Sequence, residues 1–179
     1  MTVLTKIETP LGTVIASSDG QSLTGLWFAG QKYECAFVEK PIWDDSLPLW
    51  KNVKHALEDY FQGVDDVTSS VPIEFVGGTA FQKAVWAVLT ESPYQTVWTY
   101  KDVAERVGEK LGRKTSSRAV GTAIGRNPIS LFVPCHRVVA TTGALTGYAG
   151  GVERKRALLA LEGHRITKDK VSKGERHEA

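Results

Sequence analysis

The sequence contains little of what defines several classes of small protein. Among 179 residues there are two cysteines, Cys35 and Cys135, whose spacing matches neither a disulfide framework nor a zinc motif. No apolar run reaches the roughly 18 residues that a membrane-spanning helix needs, and the first twenty residues contain no signal-peptide hydrophobic region. These absences predict a protein of the reducing cytoplasm. We also expect no metal ion and no cofactor.

Arginine is absent from residues 1–77, which carry five lysines against eleven acidic residues, a net charge of −6. Residues 78–179 hold all nine arginines and have seventeen basic groups against nine acidic ones, a net charge of +8. With 42% hydrophobic residues the chain can fill a core, so wholesale disorder is excluded. We predict that the second part contacts a polyanion such as nucleic acid. The alternative is two solvated faces of different charge.

Short apolar segments separated by turn residues predict a small antiparallel sheet with one helix in the first part. The predicted elements are strands at 2–8, 11–17 and 23–28, a helix at 47–61 and a further strand at 71–76. Gly77-Gly78 follows these elements and coincides with the change in charge. We therefore predict a domain of residues 1–77 and a second domain of residues 78–164.

The second part has a different pattern, in which helical periodicity dominates. Thr79 predicts the start of a helix, and residues 101–107 and the segment from Thr115 or Ser116 to Gly125 predict two more. A polar stretch at 108–115 separates these two, and a strand-like segment follows at 129–133. This order is typical of a helix-turn-helix with a β wing. A last helix is predicted at 152–161, and the polar residues 165–179 predict a flexible tail.

The second helix of this pair is unusual for one that reads base sequence. Apart from Arg118, its outward positions are small, namely Ala119, Thr122 and Gly125, with Gly121 beside them. Small residues allow close approach to a sugar–phosphate wall, whereas base-edge recognition needs longer polar side chains. The pattern favours sequence-independent docking with one protruding cation. The alternative is a packed helix whose Arg118 pairs with a carboxylate.

The candidate chemical site is Cys135, which is followed directly by His136 and Arg137. A neighbouring base or cation lowers a thiol pKa, and the thiolate is the nucleophilic form. Pro134 restricts the backbone on the approach to the cysteine. The alternative is a buried structural cysteine, but His and Arg enter a dry core only when paired. A reactive thiol beside a predicted DNA-binding helix pair points to chemistry on the nucleic acid.

Several motifs of the second part resemble those of the O6-alkylguanine-DNA alkyltransferases, the methylated-DNA–protein-cysteine methyltransferases. The resemblance runs from about Thr79 to His164. It rests on Val97-Trp98-Thr99-Tyr100, Arg118-Ala119-Val120-Gly121, Asn127-Pro128, Pro134-Cys135-His136-Arg137-Val138, Gly147-Tyr148-Ala149-Gly150-Gly151 and Leu158-Leu159-Ala160-Leu161-Glu162-Gly163-His164. It implies an α+β fold with a small antiparallel-sheet, ribonuclease H-like domain before a winged helix-turn-helix domain.

The resemblance also implies a role for individual residues. Cys135 is the alkyl acceptor, His136 its base acting through a water, and Glu162 orients His136. Asn127 bridges the second helix and the cysteine segment by backbone hydrogen bonds. Tyr100, placed before the first helix, presses on the target phosphate, and Arg118 fills the gap left by a flipped base. The further implied contacts are Ala119, Gly121, Lys101 and Gln82 with DNA, and Val138, Tyr148, Ala149, Gly150 and Ile124 around the lesion.

The family resemblance predicts single-turnover repair of O6-alkylguanine, with O4-alkylthymine as a second substrate, by a monomer on double-stranded DNA with little sequence preference. The chain departs from the family pattern in a predicted longer turn at 109–114. Some relatives bind zinc in the first domain, but Cys35 and His55 are too few ligands for such a site. Alternatives from other classes are a lesion-binding module without chemistry and a thiol hydrolase. Cysteine at position 135, where the non-catalytic relatives have Trp, favours activity.

Overall fold

The computed structural model describes residues 1–64, 66–67 and 70–172. The chain forms two compact units. The N-terminal unit comprises Met1–Gly78 and Pro128–Phe132, and the C-terminal unit comprises Thr79–Asn127 and the chain from Val133 onward. Within the described ranges, no helix is both long enough and apolar enough to cross a membrane.

The N-terminal unit is built on a four-stranded sheet in the order β3-β2-β1-β4. Its elements are β1 (Thr2–Thr9), β2 (Gly12–Ser18), β3 (Leu23–Phe28), β4 (Pro41–Trp43) and helix α1 (Leu49–Phe61). The three predicted strands are confirmed, and they pair antiparallel as expected. The fourth strand pairs parallel with β1 and was not predicted, because three exposed residues show no alternation of apolar and polar side chains.

The predicted strand at 71–76 is wrong. Ile73 forms a single parallel bridge with Leu23 of β3. Around this bridge, Leu23 N donates to the Pro72 carbonyl over 2.8 Å and Glu74 N donates to the Leu23 carbonyl over 3.0 Å. Pro72 has no N–H to donate, so a longer ladder on this edge is interrupted there.

Three helices form the frame of the C-terminal unit: α2 (Ala80–Thr90), α3 (Tyr100–Leu111) and α4 (Ser117–Ile124). Each begins after a hydroxyl residue whose side chain accepts a backbone N–H, and these caps are Thr79, Thr99 and Ser116. Trp86 of α2 donates its indole N–H to the Ala123 carbonyl of α4 over 2.9 Å. The helix pair α3–α4 and its connecting turn confirm the predicted helix-turn-helix.

Helix α3 is longer than predicted, because residues 108–111 are helical rather than part of a polar loop. The helix ends at Gly112, whose φ of 70° lies in the left-handed region that favours glycine. The Arg113 N–H then closes onto the Gly108 carbonyl over 3.1 Å. Of the residues 109–114 that suggested a longer turn, the first three extend α3 and the last three form the turn.

The predicted strand at 129–133 is also wrong. Residues 128–132 belong to the N-terminal unit, where Ile129 forms one parallel bridge with Leu26. Leu131 has a φ of 70°, which ends the extended conformation. The strands that accompany the helices are instead β5 (Trp98–Thr99) and β6 (Val138–Val139), which pair in parallel.

The C-terminal unit ends with helix α5 (Val152–Leu161) and a hairpin of β7 (Ile166–Thr167) and β8 (Lys170–Val171). The predicted helix is confirmed. The prediction of a flexible tail is wrong for residues 165–172, since β8 buries Val171 against apolar neighbours. Composition misled here because one buried valine anchors an otherwise polar segment. Residues 173–179 of that tail lie outside the described residues.

Gly108 provides a test of how tightly the turn after α3 packs. A Cβ at this position would lie 2.9 Å from the Arg113 carbonyl oxygen. Alanine normally stabilises a helix interior by about 1 kcal/mol relative to glycine, but this overlap forces the turn to move. We expect Gly108→Ala to lower the free energy of unfolding by about 1–3 kcal/mol, measured by urea denaturation. Gly125→Ala is the control, since its Cβ would meet atoms no closer than 3.5 Å.

Candidate active site

Cys135 lies in a single turn of 3-10 helix, Cys135–Arg137, directly before β6. The Cys135 N–H donates to the Val133 carbonyl over 2.8 Å, which curls the chain at Pro134. The thiol residue is 5% exposed. The turn points three consecutive residues, Cys135, His136 and Arg137, into the interior of the C-terminal unit.

Glu162, immediately after α5, joins the two residues that follow the cysteine. Its Oε2 is hydrogen-bonded to His136 Nε2, and its Oε1 accepts from Arg137 Nε over 2.7 Å. All three side chains are fully buried. The predicted pairing of His136 with Glu162 is thus present as geometry, with Arg137 as an additional partner of the same carboxylate.

The charge of Glu162 is set by its two partners. Burial raises the pKa of a carboxyl group, but here the charge and hydrogen bond of His136, followed by those of Arg137, outweigh it and lower the pKa of Glu162 to about 2. The carboxylate is therefore ionised at neutral pH. An ionised carboxylate only accepts hydrogen bonds, so the proton between Glu162 and His136 resides on His136 Nε2.

Arg137 is a residue whose function the sequence reasoning did not assign. Besides Glu162, it donates from Nη1 to the Ser92 carbonyl over 3.2 Å, and its guanidinium lies 5.5 Å from the ring centre of Tyr94. The available signal was its position, since a charged residue within an apolar segment requires a buried partner. The structure identifies that partner as Glu162.

Asn127 fixes the segment that precedes the cysteine. Its side-chain Nδ2 donates to the Val133 carbonyl over 2.8 Å, and its backbone N–H donates to the Ile124 carbonyl of α4 over 3.1 Å. The Asn127 amide also hydrogen-bonds the thiol. Burial raises the pKa of Cys135, and this hydrogen bond and the charge of Lys155 oppose that effect.

Lys155 is the second residue that sequence reasoning missed. It lies on α5, is almost completely buried, and donates to the carbonyls of Val138 over 2.5 Å and Thr146 over 2.8 Å. Burial lowers its pKa to about 8, while the nearby Cys135 acts in the opposite direction. Helical periodicity contained a signal, because Lys155 lies three and four residues before the buried Leu158 and Leu159.

Tyr100 meets Lys155 at the same carbonyl. Its hydroxyl donates to the Thr146 carbonyl over 3.0 Å. It is the first residue of α3 rather than part of a preceding turn, and its ring lies near Gly121 of α4, where a Cβ would be 3.6 Å from the ring. A Cβ at position 121 would therefore be in ordinary van der Waals contact with the Tyr100 ring.

The remaining predicted residues fall into two groups. Arg118, Ala119 and Lys101 are exposed, Gly121 is half-buried, and Gln82 uses its side-chain oxygen to cap α2 by accepting the Thr79 N–H. Among the described residues, Arg118 forms no salt bridge, which argues against its pairing with a carboxylate. Of the residues predicted to surround the lesion, Val138, Tyr148, Gly150 and Ile124 are buried, and Ala149 is half-buried.

The fold and site define a two-domain protein with a helix-turn-helix and a buried Cys–His–Glu constellation. The family model described as 6-O-methylguanine DNA methyltransferase, DNA binding domain, matches residues 80–164, and the ribonuclease-like domain of the same family matches residues 2–75. The chain belongs to this family, the methylated-DNA–protein-cysteine methyltransferases. The predicted family and the α+β fold class are confirmed.

Individual relatives agree with this assignment. A methylated-DNA–protein-cysteine methyltransferase of Haemophilus influenzae is 40% identical over 160 residues, which cover 88% of this chain and 84% of the relative. The crystal structure of Mycobacterium tuberculosis OGT in complex with DNA has a TM-score of 0.80 at 36% identity, covering 89% of this chain and 92% of that one. The methyltransferase of Pyrococcus kodakaraensis has a TM-score of 0.61 at 28% identity, covering 91% and 99%.

The low pKa of Glu162 predicts how stability responds to acid. Because the folded pKa, about 2, lies below the ordinary value of 4.5, the ionised group stabilises the fold at neutral pH, and this contribution is lost as the pH falls from 4.5 toward 2. We expect Glu162→Gln to lose about 3–5 kcal/mol at pH 7, because Arg137 stays buried without its counter-charge. Its stability should then respond less to acid than that of the parent protein, as followed by urea denaturation between these pH values.

The matched control for this measurement is Glu153→Gln, which changes an exposed carboxylate on the same helix. It should keep the parent stability at neutral pH and the parent response to acid. Equal acid responses of Glu162→Gln and the parent protein would contradict the role assigned to the buried carboxylate.

Proposed function

We propose that this protein repairs DNA by transferring the alkyl group of O6-alkylguanine irreversibly to Cys135, once per molecule. Family membership supports the class of reaction. The observation that carries the proposal for this chain is that one buried thiol lies beside a lysine, an asparagine amide and a histidine paired with an ionised carboxylate. O4-alkylthymine, which presents a similar alkyl–oxygen bond, is the proposed second substrate.

Activation of the thiol begins with the tautomer of His136. In the neutral form of the ring, which the reaction requires, the proton on Nε2 faces Glu162 and the lone pair is therefore on Nδ1. Nδ1 is then the atom that accepts the thiol proton through a water molecule, and Glu162 stabilises the resulting imidazolium. In this reaction His136 is the base and Glu162 the orienting residue.

Lys155 and Asn127 stabilise the thiolate once it forms. A negative sulfur in a buried site needs a nearby positive charge and hydrogen-bond donors to offset its loss of hydration. The Lys155 ammonium and the Asn127 amide both act on Cys135 in this sense. We assign Lys155 a direct electrostatic role in catalysis, beyond the residues that the family resemblance suggested.

In the transfer step the thiolate attacks the alkyl carbon, forming an S–C bond while the C–O6 bond breaks. The electron pair of the broken bond leaves on the guanine oxygen, and guanine becomes neutral on taking up one proton. The thiol proton has moved to His136. The product is a thioether, which water does not hydrolyse, so Cys135 is not regenerated and turnover stops after one event.

The alkyl group of a stacked guanine is out of reach of a buried thiol, so the base must leave the duplex at a cost of a few kcal/mol. The small outward residues of α4 suit sequence-independent contact with the minor groove, and exposed Arg118 fills the vacated stack. We assign Tyr100 to the phosphate of the target nucleotide, Lys101 and Gln82 to backbone contacts, and residues 148–150 with Val138 and Ile124 to the lesion pocket. The proposed active form is a monomer in the cytoplasm, where a reactive thiol stays reduced.

The stoichiometry tests the proposed reaction. Incubation with an excess of duplex DNA carrying labelled O6-methylguanine should place one methyl group per molecule on Cys135, as located by peptide mass mapping. Cys135→Ser should transfer no label, because a serine hydroxyl is a far weaker nucleophile at neutral pH. Cys35→Ser is the matched control and should retain full transfer. Repeated turnover would contradict the single-use mechanism, and DNA binding without transfer would instead indicate a lesion-binding module.

Arg118 provides a test of base extrusion that leaves the thiol untouched. We expect Arg118→Ala to slow repair of methylated duplex DNA by about 10–100-fold, the equivalent of a few kcal/mol of unstacking. Its reaction with the free base O6-benzylguanine should stay unchanged, because a free base leaves no gap to fill. The control Lys51→Ala removes an exposed charge on α1 and should affect neither rate. Equal losses of Arg118→Ala on both substrates would place Arg118 in the pocket instead.

A further inference from the structure

The hairpin β7–β8 lies beyond the region that the DNA-binding family model matches, which ends at residue 164. Its two-residue turn, Lys168–Asp169, has both φ angles in the left-handed region, 51° and 58°, as tight hairpin turns require. Val171 anchors it in a buried apolar cluster with Val97, Val139, Leu145 and Leu159. The structure therefore gives this short polar segment a defined position.

The hairpin is hydrogen-bonded to the segment Gly143–Leu145. The Leu145 N–H donates to the Asp169 carbonyl and the Val171 N–H to the Gly143 carbonyl, each over 2.9 Å. Between these bonds, Ala144 and Lys170 form an antiparallel bridge. On the outside, the Asp169 carboxylate pairs with Arg156 of α5. One bridge and two flanking hydrogen bonds thus hold residues 143–145 against the hairpin.

The next residue along the chain is Thr146, whose carbonyl is the shared acceptor of Lys155 and Tyr100. The position of this carbonyl follows from the backbone of Leu145, which the hairpin holds through both a hydrogen bond and the apolar cluster. A continuous path of contacts thus runs from β8 through Leu145 and Thr146 to Lys155, and from Lys155 to the thiol.

We propose that residues 165–172 act as a brace that positions the Thr146 carbonyl, and through it holds Lys155 and Tyr100 in place at the Cys135 thiol. Without the brace, Lys155 keeps its hydrogen bond to the Val138 carbonyl, but the Thr146 carbonyl is no longer held in place as its second acceptor. A buried ammonium with fewer partners moves toward water, and its charge then stabilises the thiolate less. The relevance to alkyl transfer rests on the proposed function, whereas the effect on thiol reactivity is measurable without DNA.

The test compares two equal cavities in the full-length chain, Val171→Ala in the brace and Val88→Ala in α2, where Val88 is equally buried. Both variants carry Cys35→Ser, so that the measured thiol is Cys135. The readouts are the urea midpoint, the rate of reaction with O6-benzylguanine, and the rate of alkylation by iodoacetamide between about pH 6 and pH 10, which reports thiolate formation.

We expect both variants to lose stability to a similar extent, since each removes two methyl groups from a core. Val171→Ala alone should react about tenfold more slowly with O6-benzylguanine, because small displacements of supporting groups cost one to two orders of magnitude in rate. Its iodoacetamide profile should also shift to higher pH. If Val171→Ala and Val88→Ala show the same rates and the same profile, the brace is overturned.

A second pair of variants leaves the core intact, in case Val171→Ala does not fold. Lys168→Val places a β-branched residue at a positive φ and strains the exposed turn, whereas Thr167→Val places one in extended conformation on β7. The brace predicts that Lys168→Val alone slows both thiol reactions, and equal rates in this pair overturn it. The two proposals can fail separately. If the brace variants shift the iodoacetamide profile but the parent protein accepts no alkyl group from O6-benzylguanine, the brace is supported and the proposed function is refuted.

Discussion

One buried carboxylate joins the end of α5 to the turn that carries Cys135. Glu162 holds His136 with one oxygen and Arg137 with the other, and none of the three reaches solvent. Burying three ionisable groups is costly unless each is paired, so the end of α5 and the cysteine turn must meet in one geometry. The Ser92 carbonyl, bonded to Arg137, brings the loop after α2 into the same network. The packing of the C-terminal unit and the proposed catalysis thus depend on the same contact.

Burial shifts the pKa values of Cys135 and Lys155 in opposite directions. Burial disfavours both the thiolate of Cys135 and the ammonium of Lys155, raising one pKa and lowering the other. Each charge is the natural partner of the other, and a charged pair is tolerated in a dry site where a single charge is not. A thiol that is mainly protonated before its substrate arrives is also protected from unproductive reactions.

Sequence reasoning succeeded where a pattern is local and failed where a contact is distant. The alternation of apolar residues in 2–28 and the caps Thr79 and Ser116 predicted elements to within a residue or two. The motif around Cys135 predicted the family. In contrast, Gly108 was interpreted as a helix end, although the missing side chain admits the Arg113 carbonyl. Lys155 was missed because lysine is rarely buried, and its acceptors, Val138 and Thr146, are known only from the fold.

The strands at 71–76 and 129–133 failed for a shared reason. Both segments are rich in apolar residues, yet each forms only one bridge to β3. Pro72 limits the pairing before the bridge of Ile73, and the positive φ of Leu131 ends it after the bridge of Ile129. Apolar composition alone does not distinguish a strand from a single edge contact. The roles assigned to individual site residues were inferred from the motif, and their geometry, but not their chemistry, is visible in the fold.

The assignment of Pro128–Phe132 to the N-terminal unit has a consequence for how the chain folds during synthesis. Leu26 of β3 donates to the Pro128 carbonyl and accepts from Ser130, so this edge of the sheet is completed by residues made a hundred positions later. Domains usually fold as units while the ribosome is still at work, but here the first unit waits until residue 132 has emerged. By then α2, α3 and α4 have already left the ribosome, and Cys135, the proposed nucleophile, follows three residues later. The residues that complete the N-terminal unit and those that begin the candidate active site therefore become available at almost the same time during synthesis.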